Sequence, residues 1–211
     1  MKETKSFVRR NSRMTDSHKR HMESHAGYLH SILPIKMMSE ADFVGLEVGF
    51  GMGDSLLDVA SKNPQQLWIG IEVYEIGVSS VIRQSKEDML ENIAVIVGDA
   101  TELLAGKQVH KCFDHIRVFF PDPWPKKRHL KRRLLQQSFI DHLADLLKPE
   151  GVLHIATDNL NYAEGCLEIL SESQSLTLMD QAPYRPLTKF ARKAIDKGVT
   201  ITDIAARKAD C

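Results

Sequence analysis

The chain has 211 residues, 28 Lys/Arg against 28 Asp/Glu, 43% hydrophobic and 27% charged residues, and a formal net charge of zero. Such totals exclude a disordered polyelectrolyte and suit one domain with one sizeable core. No apolar run reaches the roughly 18 residues of a membrane span, no secretion-signal core follows the N-terminal charges, and the three cysteines (Cys112, Cys166, Cys211) lack metal-ligand spacing, all of which points to a cytoplasmic protein with reduced thiols.

Residues 1–30 hold seven Lys/Arg, four His and only three acids, with weak periodicity. They are expected to form a basic polar arm, solvated or briefly helical, ahead of a single domain over residues 31–211. From Phe43 the chain alternates between strand-like and helix-like segments. VGLEV (Val44–Val48) is an apolar strand ended by the turn GFGMG, and Leu56, Leu57 and Ala60 then recur at helical spacing, with Asp54 or Ser55 as candidate N-cap. LWIGIEV (Leu67–Val73) predicts a second strand and Gly77–Leu90 a helix. IAVIV (Ile93–Val97) is a third strand, followed by a short helix near Thr101–Leu104.

HIRVFF (His115–Phe120) is the fourth strand. Leu135, Phe139, Leu143 and Leu147 recur every four residues as an amphipathic helix closed by Lys148-Pro149-Glu150-Gly151. VLHIAT (Val152–Thr157) is a fifth strand, and a helix is expected over Asn161–Glu172. SLTLM, a basic helix-like patch and a period-two VTITDI complete the chain. Strands alternating with helices predict a doubly wound α/β domain with a mostly parallel sheet and helices on both faces, of Rossmann-like type. Ligands bind such sheets beyond the carboxyl ends of the strands.

Gly49, Gly51 and Gly53 follow the first strand at every second position. A dinucleotide turn would need glycine at position 54, where Asp54 instead opposes a pyrophosphate, so hydride transfer is disfavoured. Glu47, just before the glycines, suits a cationic ligand. Glu72 closes the second strand about 20 residues beyond the glycine turn, where a carboxylate can hold ribose hydroxyls. Asp99 follows the third strand and can accept from an adenine amino group. Three acids and a glycine turn around an adenosine with a cationic end describe S-adenosylmethionine.

In a fold that binds this methyl donor, the loop after the fourth strand faces the methyl group. That loop is Pro121-Asp122-Pro123-Trp124-Pro125, stiffened by its prolines. It aims Asp122 at the reacting centre and offers the flat face of Trp124 to a base or to the core. Lys126-Lys127-Arg128-His129-Leu130-Lys131-Arg132-Arg133 then brings positive charge to the rim, suited to the phosphates of a nucleic acid.

GFGMG, GIEV, FFPDPWPKKRHLKRR, HIATD and RPLTKF, in that order over about residues 44–190, resemble the tRNA (guanine-N7)-methyltransferase family. The resemblance implies methyl transfer from S-adenosylmethionine to guanine N7 in the variable loop of tRNA. The implied partner is tRNA, with no metal and no membrane, and the protein is expected as a monomer or homodimer. It implies that Glu47, Glu72, Asp99 and Asp122 lie on the cofactor side, with Asp122 also catalytic. It further implies that Lys126 and Asp158 contact substrate, that Arg128, Lys131, Arg132 and Arg133 contact RNA, and that Thr188, Lys189 and Phe190 form a second substrate segment. The family's TKFE reads Thr188-Lys189-Phe190-Ala191 here, and its Trp-Asp-Leu strand becomes Thr202-Asp203-Ile204. The missing carboxylate leaves open a divergent methyltransferase with another acceptor, or a non-catalytic RNA-binding relative.

Overall fold

Strand β2, Val44–Val48, is buried along its whole length, as a continuous apolar run should be when both faces of a parallel sheet are covered. The computed structural model describes Ser6, Thr15, Asp16, His18, Arg20, Met22, residues 27–106 and residues 110–209. Most of the arm expected over residues 1–30 lies outside these. The other strands are β1 (Leu29–His30), β3 (Leu67–Glu72), β4 (Ile93–Val97), β5 (Phe113–Phe119), β6 (Leu147–Thr157), β7 (Leu176–Leu178) and β8 (Thr202–Lys208). The α-helices labelled among the described residues are α1 (Ile35–Glu40), α2 (Asp54–Lys62), α3 (Glu75–Glu87), α4 (Ala100–Leu103), α5 (Gln137–Leu146), α6 (Leu160–Ser171) and α7 (Lys189–Asp196), and Lys127–Arg132 form a 3-10 helix.

The eight strands form one sheet in the order β1-β4-β3-β2-β5-β6-β8-β7. β1 to β6 pair in parallel, and β8 runs antiparallel to both β6 and β7. The chain winds from β2 outward through β3 to β4, then returns to β5 on the other side of β2. The strand order therefore reverses between β2 and β5. A crevice opens at such a point beyond the strand ends, and both suspect segments, the glycine turn and the proline loop, leave the sheet there.

Alternate residues face opposite layers. Leu46, Ile69, Ile71, Ile96, Ile116, Val118 and Ile155 pack with Phe139, Ile140 and Leu143 of α5 and Tyr162 and Cys166 of α6. On the other side Trp68, Ile93 and Val95 pack with Leu56, Val59 and Ala60 of α2 and Val78, Val81 and Ile82 of α3. Each fully buried side chain of this size contributes about 1.5–3 kcal/mol, so the sheet is a rigid base for whatever its ends carry.

Three local expectations are corrected. Helix α2 is capped by Gly53 in the left-handed region, with no side-chain cap from Asp54 or Ser55. Gly53 lets the turn enter the helix directly, and the Ser55 hydroxyl is used elsewhere. Lys148-Pro149-Glu150-Gly151 does not close a helix but lies within β6, where the register against β5 slips between Phe113 and His115 and Glu150 has φ 64°. The final strand begins at Thr202 rather than at Val199, because pairing with β6 runs from Thr157↔Thr202 to Val152↔Arg207. The two-residue β1 went unread, too short to show a period, yet it pairs with β4 at the sheet edge.

Candidate cofactor and substrate site

The glycine turn has the conformation its composition suggests: Gly49, Gly51 and Gly53 have φ of 74°, 59° and 87°. Space is open where a side chain would begin at Gly49 and Gly51, whereas one at Gly53 would collide with Val81 of α3. Gly77 lets α3 approach the turn from behind, since a Cβ there would run into the Gly51 carbonyl. The turn is thus closed toward the helices and open outward, the shape of a cradle for a ligand.

Glu72, buried at the end of β3, braces this turn. Its Oε2 accepts from the Gly51 N–H at 2.7 Å, and its Oε1 from the N–H groups of Val73 at 2.7 Å and Tyr74 at 2.9 Å. A carboxylate offers about four acceptor positions, so capacity remains for a ligand hydroxyl. Glu47 lies beneath the turn, 2% exposed, and accepts from the Ser55 hydroxyl at 3.0 Å. Burial, only partly offset by Arg117 and the Ser55 bond, raises its carboxyl to about 7. A cation brought to this pocket would restore the carboxylate form. Asp99 caps α4: its Oδ1 accepts from the N–H and the hydroxyl of Thr101 at 2.9 and 2.7 Å. The cap engages Oδ1, and Oδ2 has no bond of this kind among the described residues.

Arg117 escaped the sequence reading, although an arginine inside HIRVFF was the available signal. It is 3% exposed, its guanidinium lies 4.5 Å from the Trp68 ring centroid, and Nη1 is 3.9 Å from Glu47 Oε2. Its Nε and Nη1 have no hydrogen-bond partner among the described residues.

β5 leaves the sheet through two bulky residues in the left-handed region, Phe120 at φ 52° and Trp124 at φ 41°, which enclose Pro121-Asp122-Pro123. Such backbone costs on the order of 1–3 kcal/mol per residue and persists only when its surroundings impose it. The Phe120 N–H donates to the Ala156 carbonyl at 2.7 Å, and its ring packs on Phe190, with centroids 4.8 Å apart. Arg133 grips the far side: Nε donates to the Pro123 carbonyl at 3.0 Å, and Nη2 and Nη1 to the Asn161 side-chain and main-chain oxygens at 2.8 and 3.3 Å. Its guanidinium also lies 4.6 Å from the Tyr162 ring centroid. Asp122 is half-buried in the loop so held, and Asp158 is half-buried just beyond β6.

Two expectations for this region change. Arg133 is buried and committed to the loop backbone, so it does not share the exposed rim with Lys126, Lys127, Arg128 and Lys131. Trp124 does not present a bare face: Arg132 lies 5.0 Å from its centroid, His129 meets it edge-on at 5.6 Å, and its indole N–H donates to the Ser6 carbonyl at 2.9 Å. Desolvation and the charges of Arg132, Arg128 and Lys126 lower the His129 pKa, which marks a locally positive field.

Thr188, Lys189 and Phe190 start α7 beside this loop. The Thr188 hydroxyl caps the helix by accepting from the Ala191 N–H at 3.2 Å, and the Lys189 N–H donates to Asp54 Oδ2 at 3.1 Å. Phe190 remains 50% exposed while Ala191 is wholly buried, so no polar group occupies position 191. Nearby, Arg185 makes a two-pronged pair with Asp203 at 2.6 and 2.8 Å, and His154 Nε2 is 3.0 Å from the same carboxylate. Burial works to raise the Asp203 pKa, but Arg185 and His154 outweigh it and bring it to about 2.

A methyltransferase family model, Methyltransf_4, matches residues 41–204. The tRNA (guanine-N(7)-)-methyltransferase of Nitrosospira multiformis is 40% identical over 97% of this chain and 94% of its own. This chain belongs to the tRNA (guanine-N7)-methyltransferase family. A longer relative in the family, from Burkholderia pseudomallei, is 46% identical over 77% of this chain and 63% of its own length. The fold is shared more widely than the family: the 16S rRNA methyltransferase KamB superposes with a TM-score of 0.66 at 14% identity, over 86% of this chain and 96% of that one. The Asp54 carboxylate, in the first turn of α2, reaches the start of α7.

Proposed function

We propose that this protein transfers the methyl group of S-adenosylmethionine to N7 of a guanine in the variable loop of tRNA. The observation that carries the reading is the reversal of strand order between β2 and β5, from which a braced glycine turn and a proline loop followed by exposed cations both leave the sheet. The names of the relatives support the reaction, and the open cradle at Gly49 and Gly51 with Glu47 and Glu72 around it fits the cofactor. The reaction belongs in the cytoplasm, where tRNA is processed.

When bound, S-adenosylmethionine supplies an electrophilic methyl group on a sulfonium. Glu72 would hold a ribose hydroxyl with the acceptor capacity its backbone donors leave, Asp99 would meet the adenine side, and Glu47 would take the cationic end. Guanine N7 carries an in-plane lone pair and no proton, so the protein needs no base to prepare it. The base becomes positive as the methyl arrives. Asp122 and Asp158, delivered from neighbouring strand ends, stabilise that charge in a site drier than bulk water. Holding two reactants in line does most of the remaining work. Lys126, Arg128, Lys131 and Arg132 take phosphates, Thr188, Lys189 and Phe190 meet the substrate opposite, and Arg133 acts by fixing the loop.

A second reading follows from Ala191, whose side chain brings no polar group to the substrate segment. It is an RNA-binding relative that transfers no methyl, or transfers it to another acceptor. Labelled S-adenosylmethionine offered with pooled cellular RNA and small metabolites separates the readings. The proposal expects label in tRNA alone; label elsewhere, or none, favours the second reading.

A further inference from the structure

Cations on this protein are unevenly neutralised. Lys36 pairs with Glu40, Lys62 with Asp58, Arg83 with Glu87, Lys148 with Asp114 and Arg207 with Glu150, so part of the basic surface is offset locally. No ion pair forms, among the described residues, at Lys126, Lys127, Arg128 or Lys131. The same holds at Lys189, Arg192, Lys193 and Lys197, in and just after α7. All eight of these side chains are exposed.

Helix α7 buries only Ala191 and Ala194, a narrow stripe of small side chains, and turns the rest outward. It exposes Phe190 at 50% and Ile195 at 52%, and its one acid is Asp196. Cations in the last turn also suit the helix dipole, but that effect is at most about 1 kcal/mol and gives no reason for the exposed ring. Unpaired cations interleaved with an aromatic side chain are the makeup of a nucleic-acid face. The Phe120–Phe190 contact joins α7 to the start of the proline loop, so both positive elements adjoin the end of β5.

We infer that Arg192, Lys193 and Lys197 form a second phosphate-binding jaw, gripping the same RNA from the side of the crevice opposite Lys126–Lys131. This rests on the RNA-acceptor reading above and adds residues beyond the Thr188-Lys189-Phe190 segment. A two-jawed grip makes affinity depend on a folded RNA broad enough to reach both elements. It also makes the salt dependence the sum of two sets of contacts, each phosphate adding about 0.7–0.9 to the slope of log affinity against log salt.

The test uses the full chain and an unmodified tRNA transcript. Compared are wild type, Arg192→Ala/Lys193→Ala/Lys197→Ala, Lys127→Ala/Arg128→Ala/Lys131→Ala, and the combined variant. The α7 variant should bind tRNA about tenfold more weakly, with a salt slope shallower by about 2. Loss in the combined variant should be the sum of the two in log units, and S-adenosylmethionine affinity, which reports folding, should stay at the wild-type value. Wild-type tRNA affinity and slope in the α7 variant, with S-adenosylmethionine binding intact, would overturn the inference. A wild type that binds tRNA but methylates nothing defeats the functional reading and leaves the second jaw standing.

Discussion

The Gly51 N–H donates to Glu72 Oε2 at 2.7 Å, so the turn after β2 and the end of β3 are one unit before any ligand arrives. The other carboxylate oxygen holds the Val73 and Tyr74 N–H groups. Glu72→Gln turns one acceptor into a donor facing a donor. The expected result is S-adenosylmethionine binding weakened at least about tenfold, by titration calorimetry. Stability should fall by about 1–3 kcal/mol as an N–H loses its partner. Wild-type affinity would remove Glu72 from the cofactor site.

Glu47 gives a pH dependence of defined sign. Burial raises its carboxyl from 4.5 to about 7. Its contribution to stability is therefore full below about pH 4.5 and is lost as pH rises through 7, on the order of 3 kcal/mol at most. A cationic ligand end reverses the preference, so S-adenosylmethionine affinity should increase between pH 6 and 8. Glu47→Gln should flatten both profiles, read from urea melts and from binding isotherms across that range.

Asp122 is carried on a loop fixed at both ends, by Phe120 on Ala156 and by Arg133 on Pro123. Asp122→Ala should keep the fold and cofactor affinity while slowing single-turnover methyl transfer about a hundredfold or more. An unchanged rate would take Asp122 out of the mechanism.

Arg133 and Lys131 are two residues apart and should behave differently. Arg133→Ala strips donors from the Pro123 and Asn161 oxygens and should cost about 2–3 kcal/mol of stability together with a fall in kcat. Arg133→Lys should recover little, because an ammonium cannot span both oxygens as the planar guanidinium does. Lys131→Ala should leave the melting temperature in place and weaken tRNA binding in a salt-dependent way.

What could be read from the chain follows from how locally each feature is encoded. VGLEV running into GFGMG is a strand and a turn by composition alone, and the acids at strand ends need only the alternation around them. The proline loop announces its stiffness in its own residues. Arg133 was legible only as part of a basic block and Trp124 only as a flat face for a base or the core, because one partner of each lies far off in sequence: Asn161 for one, Ser6 for the other. The Arg185–Asp203 pair and the buried Arg117 were hidden for the same reason, being set by strand order rather than by neighbours. The slip within β6 depends on pairing with β5, which no periodicity in Lys148-Pro149-Glu150-Gly151 reports.

Methylation of guanine N7 in tRNA at the ends of β2 and β5 is open to a single assay. The most direct measurement incubates the protein with labelled S-adenosylmethionine and a tRNA transcript lacking modifications, then maps the labelled base. A single 7-methylguanine in the variable loop is predicted. No 7-methylguanine above background, or label on another atom, would contradict the account.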